Sequence, residues 1–267
     1  MEYQKFVPEG WIDKKENITW DSVNSLKENG KVITGYVESC DSNYNLKVDL
    51  GNGIYGIIPR NEADALEIDE FGYTKKSICQ NKVNSYVSVK IKEVYQDKNL
   101  ILSRKAVGND AIHWMKNELK EGDVLNGIVK NIRGYGAFIE IGGGLVGLLP
   151  IENISVSRIK SPAERFKIGQ KINVMIKSIE KNENRVFLTY KELLGSWEEN
   201  VKDYQIGTTV KGIVREVEKY KNGIFVELKP NLVGLAEYKE GYTYGQTVDV
   251  YIKKIQHDKK KIKLILV

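Results

Sequence analysis

At 267 residues the chain is too long for one small barrel and suits two or three domains. Its net charge of +5 is mild, which excludes a histone-like polycation, and no apolar run reaches membrane length, so no segment is expected to span a bilayer. The only cysteines, Cys40 and Cys79, read as two free thiols of a cytoplasmic chain, or as one disulfide stapling the first domain alone.

Residues 1–29 form an N-terminal segment. Its start holds Glu2, Lys5, Pro8, Asp13 and Glu16 and lacks the apolar core of a secretory signal. Trp11 and Trp20 are expected to tuck against the first domain, and Asp21 to Glu28 reads as a short helix stopped by Asn29-Gly30. Residues 30–107 then offer five short strand signals, at Thr34 to Val37, Asn45 to Leu50, Gly56 to Pro59, Lys82 to Val87 and Leu100 to Ser103. Tyr44 is the one aromatic here in a position to meet a base. The 22 residues between Pro59 and Lys82 hold Glu62, Asp64, Glu67, Asp69 and Glu70. They read either as a solvated helical connection or as a surface that repels phosphate and suits a protein partner.

Residues 108–121 carry Ala111, Ile112, Trp114, Met115 and Leu119 at helical spacing and read as a linker helix, with Trp114 a packing anchor. Residues 122–191 repeat the strand pattern. Gly127 opens it, Gly134, Gly136 and Gly142 to Gly144 permit sharp bends, and Tyr135 and Phe138 sit three apart near Lys130 and Arg133. A π-face beside a cation is what a single nucleic-acid strand needs, a base to stack on and charge for phosphate. The same rings could instead fill a barrel core. Residues 192–205 form a second linker helix with Trp197, and residues 206–267 repeat the pattern again, with Tyr220, Lys221 and Phe225 and a final hairpin crowded by Lys259, Lys260, Lys261 and Lys263. That lysine run reads as a phosphate contact or as a solvated turn.

The recurrence favours a shared design over chance. Gly35, Gly127 and Gly212 lie 92 and 85 residues apart, and each opens a unit closed by an apolar strand, Leu100 to Ser103, Val186 to Thr189 and Ile262 to Ile265. Five short strands in about 75 residues suit a closed barrel of the oligonucleotide-binding class. The expected fold is all-β, three tandem five-stranded OB-fold barrels joined by short helical linkers.

Gly-x-Val, then Tyr135-Gly136-Ala137-Phe138-Ile139, Val146-Gly147-Leu148 and Arg185-Val186-Phe187-Leu188-Thr189 together resemble the S1 RNA-binding domain family. Gly195-Ser196-Trp197-Glu198-Glu199 with Ile206-Gly207-Thr208-Thr209-Val210-Lys211-Gly212 is similar to the junctions between tandem copies, and Gly56 to Glu62 resembles early copies. The resemblance covers roughly residues 20–267 and implies a shortened, three-copy array of a bacterial ribosomal type. It implies a binding surface on Tyr135 and Phe138 that extends to Glu180 and Arg185, with Tyr220, Lys221, Phe225 and Lys261 as counterparts in the third copy. The family's histidine after the third strand is replaced by Pro150 and, in the third copy, by Glu237.

The expected activity is single-stranded RNA binding by stacking and charge, in translation or RNA metabolism. The alternative is an adaptor that docks proteins, on the ribosome or another assembly, and binds little RNA. Charge divides the chain: residues 1–107 carry −1, residues 108–195 carry +3 and residues 196–267 carry +3. RNA is therefore expected on the second and third repeats, and a ribosomal or other protein partner on the first. His113 and His257 stand far apart, no carboxylates pair and no glycine loop cradles phosphate. Neither an enzyme, a metal, nor a cofactor is expected.

Overall fold

The computed structural model describes residues 4–219 and 223–267. Helix α1 (Trp20–Glu28) leads into β1 (Ile33–Cys40), β2 (Leu46–Asp49) and β3 (Tyr55–Ile58). A short helix α2 (Lys76–Gln80) precedes β4 (Tyr86–Val94) and β5 (Leu100–Ser103). Helix α3 (Arg104–Asn117) leads to the second set, β6 (Val124–Arg133), β7 (Gly136–Gly142), β8 (Leu145–Pro150), β9 (Lys171–Glu180) and β10 (Arg185–Thr189). Helix α4 (Trp197–Val201) precedes β11 (Thr209–Glu218), β12 (Gly223–Lys229), β13 (Leu232–Glu237), β14 (Thr247–Gln256) and β15 (Lys261–Leu266). Each set of five closes into a barrel in which the first strand pairs with the second and fourth and the third pairs with the fifth.

Alternation builds these barrels. In β7, Ala137, Ile139 and Ile141 are buried inside while Phe138 faces outward, the period of a strand with one face in a core. Closure needs strongly bent first strands. Each has one bulged residue, at Glu38, Lys130 and Arg215, where the register slips against its neighbour. It also needs a missing side chain. A Cβ on Gly127 would lie 2.5 Å from Ile139 Cγ2, and on Gly35 and Gly212 it would lie 2.4 Å from Val48 and Val226 Cγ1. The recurring glycine is thus where the second strand passes closest to the first.

The linker helix starts at Arg104, four residues before the expected 108, because Ser103 ends β5 and its hydroxyl accepts the Ala106 N–H. Val107, Ala111 and Met115, one face of α3, are buried in the core of the second barrel together with Trp114 and Phe6. The N-terminal segment therefore divides between barrels. Trp20 packs on the first barrel, but Trp11 does not. Lys171 of β9 donates to the Trp11 carbonyl at 2.9 Å, and Asn126 N–H donates to Gln4 Oε1 at 2.8 Å. Phe6 determines this: its ring packs on Trp114 at 5.5 Å, and its carbonyl lies where a Cβ on Gly142 would be, 2.1 Å away.

Glu9 fastens the junction between the first two barrels. It is 4 % exposed, and its carboxylate accepts Arg104 Nε at 2.7 Å and Nη2 at 3.0 Å, Lys82 at 2.7 Å and Ser88 N–H at 3.2 Å. Its own N–H donates to Glu140 Oε2 at 2.7 Å, and the Gly144 N–H donates to Glu140 Oε1 at 3.1 Å. Arg104 also reaches Asp64 and the Ala63 carbonyl. Burial alone would raise the Glu9 carboxyl, but Arg104 and Lys82 outweigh it and hold it well below the usual range. Burial, and then the Glu9 carboxylate beside it, outweigh Lys130 at 3.6 Å and the more distant Lys82 and Arg104, and push Glu140 up to about 7.

The second junction repeats this chemistry with its own residues. Arg215 donates to Glu227 Oε2 at 2.6 Å, and Arg165 and Ser157 from the second barrel's β8–β9 connection reach the same carboxylate. Burial would raise Glu227, yet hydrogen bonds from Arg215, Ser157 and Arg165 keep it low. The thiols are free rather than bridged, and burial pushes Cys79 up to about 11.

Removing one partner from such a cluster leaves buried charge uncompensated. Arg104→Met should therefore cost about 3–5 kcal/mol in urea denaturation. Glu140 gives a second expectation. A carboxyl raised from 4.5 to about 7 keeps a proton in the folded state that the unfolded chain releases. Its contribution to stability is present below pH ~4.5 and lost as pH rises toward about 7. The urea midpoint of Glu140→Gln should accordingly change less between pH 5 and pH 7.5 than that of the native chain.

Candidate nucleic-acid interface

The register of the second barrel aligns one row of outward side chains. Asn131 of β6 stands opposite Phe138 of β7, Phe138 opposite Leu148 of β8, Leu148 opposite Phe187 of β10 and Phe187 opposite Ser178 of β9. Tyr135, at the turn into β7, is 60 % exposed and meets Phe138 edge to face, with centroids 6.1 Å apart at 84°. Its backbone is held by the Ile151 N–H, which donates to the Tyr135 carbonyl at 3.0 Å. The rings are therefore not core residues; Ile139 between the two barrel faces is.

Cations flank the row. Arg133 is exposed opposite Gly136, and among the described residues no carboxylate pairs with it. Arg185 stands opposite Glu180, two residues from Phe187 on the same face, and is only loosely near Glu183 at 3.9 Å. An exposed pair of that length is too weak to hold the guanidinium from a phosphate. Lys130 is differently placed. It is the bulged residue of β6, and its ammonium donates to the Glu9 carbonyl at 2.9 Å and faces Glu140. It serves the junction, not the aromatic row.

The third barrel repeats the row with different chemistry. Phe225 occupies the register position of Phe138, between Glu216 and Leu235, and Leu235 stands opposite Lys263, where the second barrel has Phe187. Lys261 stands opposite Gln256, as Arg185 stands opposite Glu180. Tyr220 and Lys221 lie outside the described residues. In the first barrel the same row reads Ser39, Lys47, Ile57, Ile101 and Glu93, without an aromatic. Tyr44 is already engaged: Arg60 and Lys76 lie 5.5 and 5.1 Å from its ring.

Phe187 is the residue that motif reading passes over, because it stands in the apolar closing strand. Its neighbours Val186 and Leu188 are buried, and strict alternation would have turned Phe187 outward. The acidic connection also departs from its reading. After a single 3-10 turn at Arg60–Glu62 it forms a turn closed by the Ile68–Thr74 bridge and by Asp69, which accepts the Phe71 and Tyr73 N–H groups at 3.0 Å, and it becomes α-helical only at α2. Its charges are largely answered: Glu67 by Lys75 and Asp69 by Arg60 from within, Glu62 by Lys92 of β4 and Asp64 by Arg104 of α3. Phe71, 77 % exposed, is left at the tip.

Among the described residues no group of three or more metal-ligating side chains gathers, and no helix is long and apolar enough to cross a membrane.

The S1 RNA binding domain model matches residues 26–105 and 118–191, which include the first and second barrels. The small ribosomal subunit protein bS1 homolog of Bacillus cereus is 33% identical over 195 residues, 70% of this chain and 45% of that protein. Small ribosomal subunit protein bS1 of Staphylococcus epidermidis is 33% identical over 199 residues, 72% of this chain and 48% of that protein. The chain thus spans less than half the length of these relatives. A solved multidomain protein with nucleic acid binding domains from Streptococcus pneumoniae is 14% identical, with a TM-score of 0.27 over 89% of this chain and 73% of that one.

The outward row and the inward row should separate cleanly in stability. Tyr135→Ala should change the free energy of unfolding by less than about 1 kcal/mol, whereas Ile139→Ala should cost about 2–5 kcal/mol. Urea denaturation of the two variants decides whether Tyr135 lies outside the core.

Proposed function

The chain belongs to the S1 RNA-binding domain family, and from that membership we propose that it binds single-stranded RNA through the outward row of its second barrel, with the third barrel assisting. The observation that supports this most is the alignment of Phe138, Leu148 and Phe187 in one register row, with Tyr135 exposed at its end and Arg133 and Arg185 beside it. Unpaired bases stack on the rings, and the guanidinium groups meet the phosphates. Such stacking accepts any base, so sequence preference is weak. The named relatives are ribosomal subunit proteins, and the proposed setting is translation in the cytoplasm, at or near the ribosome. The reading is of a binding protein, not an enzyme.

One observation favours a different role for the first barrel. Its row has no aromatic, while Leu66, Ile68, Phe71 and Tyr73 are exposed together on the connection before α2. That apolar surface suits a protein partner. Cutting the chain at residue 107 would split α3 and strand Phe6 and Glu9 away from the second barrel, so substitution is the way to separate the barrels.

An unstructured RNA should bind with a log–log salt slope of about −0.7 per phosphate neutralised, and more tightly than a duplex of the same length. Replacing Phe138 or Phe187 by alanine should weaken it by about 1–3 kcal/mol per stacked base lost. Lys47→Ala, at the first barrel's equivalent position, should leave affinity unchanged. Fluorescence anisotropy titrations at two salt concentrations measure all of these. Absence of binding at low salt would overturn the proposal in favour of protein docking alone.

A further inference from the structure

The third barrel's row does not stand alone. It opens into a cleft of about 780 Å³ whose walls come from two barrels: Phe225, Leu235 and Lys263 from the third, and Val156 and Arg158 from the β8–β9 connection of the second. That connection is tied to the third barrel by its backbone. Ser157 N–H donates to the Pro230 carbonyl at 2.9 Å, and Val156 N–H donates to Asn231 Oδ1 at 3.1 Å. Ser157 Oγ reaches the buried Glu227. Residues 156–158 are thus positioned by the barrel that follows them in sequence, while Val156 stays exposed on the cleft.

Arg158 is held at one end of the row. Its side chain is 74 % exposed, and Nη1 donates to Glu216 Oε1 and Oε2 at 2.7 and 2.8 Å. Glu216 is the direct cross-strand neighbour of Phe225, and Arg158 and that ring line the same cleft. Only Nη1 is used. The Nε–H and Nη2 donors have no partner among the described residues, and a guanidinium fork matches a phosphate. At the other end stand Lys261 and Lys263, which pair with no carboxylate among the described residues. A ring with a cation on each side fits one stacked nucleotide between two successive phosphates.

Resting on the single-stranded RNA reading above, we propose that the second barrel's β8–β9 connection is a wall of the third barrel's RNA cleft and that Arg158 is a phosphate contact there. The exposed pair with Glu216 contributes little to folding; its consequence is to aim the guanidinium. The third barrel's site is therefore complete only when the second barrel precedes it.

The test uses the full chain and a uridine-rich single-stranded RNA oligonucleotide, titrated by fluorescence anisotropy over a range of salt. Arg158→Gln should weaken binding about three- to tenfold and reduce the salt slope by about 0.7, one phosphate contact on a single strand. Arg158→Lys should recover most of that loss, and the melting temperatures of both should match the native chain. If Arg158→Gln binds with native affinity and slope, or lowers melting alone, the residue is a structural tie and the inference is wrong. If the native chain itself fails to bind the oligonucleotide, the RNA reading fails and this one falls with it.

Discussion

The arrangement depends on one carboxylate in the second strand of each barrel, opposite the residue after the recurring glycine. It is the half-buried Asp49 in the first barrel and the buried Glu140 and Glu227 in the second and third. Each is met from a segment earlier in the chain: Asp49 by Lys15 and Glu140 by the backbone of Glu9, both of the N-terminal segment, and Glu227 by Arg165 and Ser157 of the second barrel. A buried carboxylate without such partners would be costly, so the second barrel requires the N-terminal segment in place and the third requires the second barrel. The linkers could be short and still hold the barrels in a defined relation for this reason. The carboxylate lies two residues from the platform position occupied by Lys47, Phe138 or Phe225. The fixed junction and the outward row are built on the same strand.

From that shared frame the barrels diverge by substitution at a few register positions. The row mixes charged and aliphatic residues without an aromatic in the first barrel, carries two phenylalanines in the second, and combines an aromatic with lysine in the third. Frame and row answer to different constraints. Junction residues must match buried partners; row residues face outward and can change without disturbing the core. A drift from RNA toward protein contact in the first barrel needs no change of fold.

Much of this was legible in the sequence, and the reasons for the rest are physical. Period-two alternation and repeated glycines were sufficient for three barrels, since both follow from local strand geometry. Tyr135 and Phe138 could be singled out because their spacing with small residues is local too. Lys130 reads as one more cation beside them, but a bulge breaks alternation there and turns it to the junction, and no local pattern announces a bulge. Glu9 was illegible because its partners Lys82, Arg104 and Glu140 lie 73, 95 and 131 residues away. Trp11 follows the same logic: its neighbour in sequence is the first barrel, its neighbour in space is Lys171.

The central claim is that RNA occupies the outward row of the second barrel first and that of the third barrel next. Ultraviolet crosslinking of a uridine-rich single strand to the full chain, followed by peptide mass spectrometry, locates the contacts without altering a residue. The account predicts adducts on peptides containing Tyr135, Phe138 and Phe187, with weaker ones around Phe225. Adducts confined to residues 33–103 would contradict it.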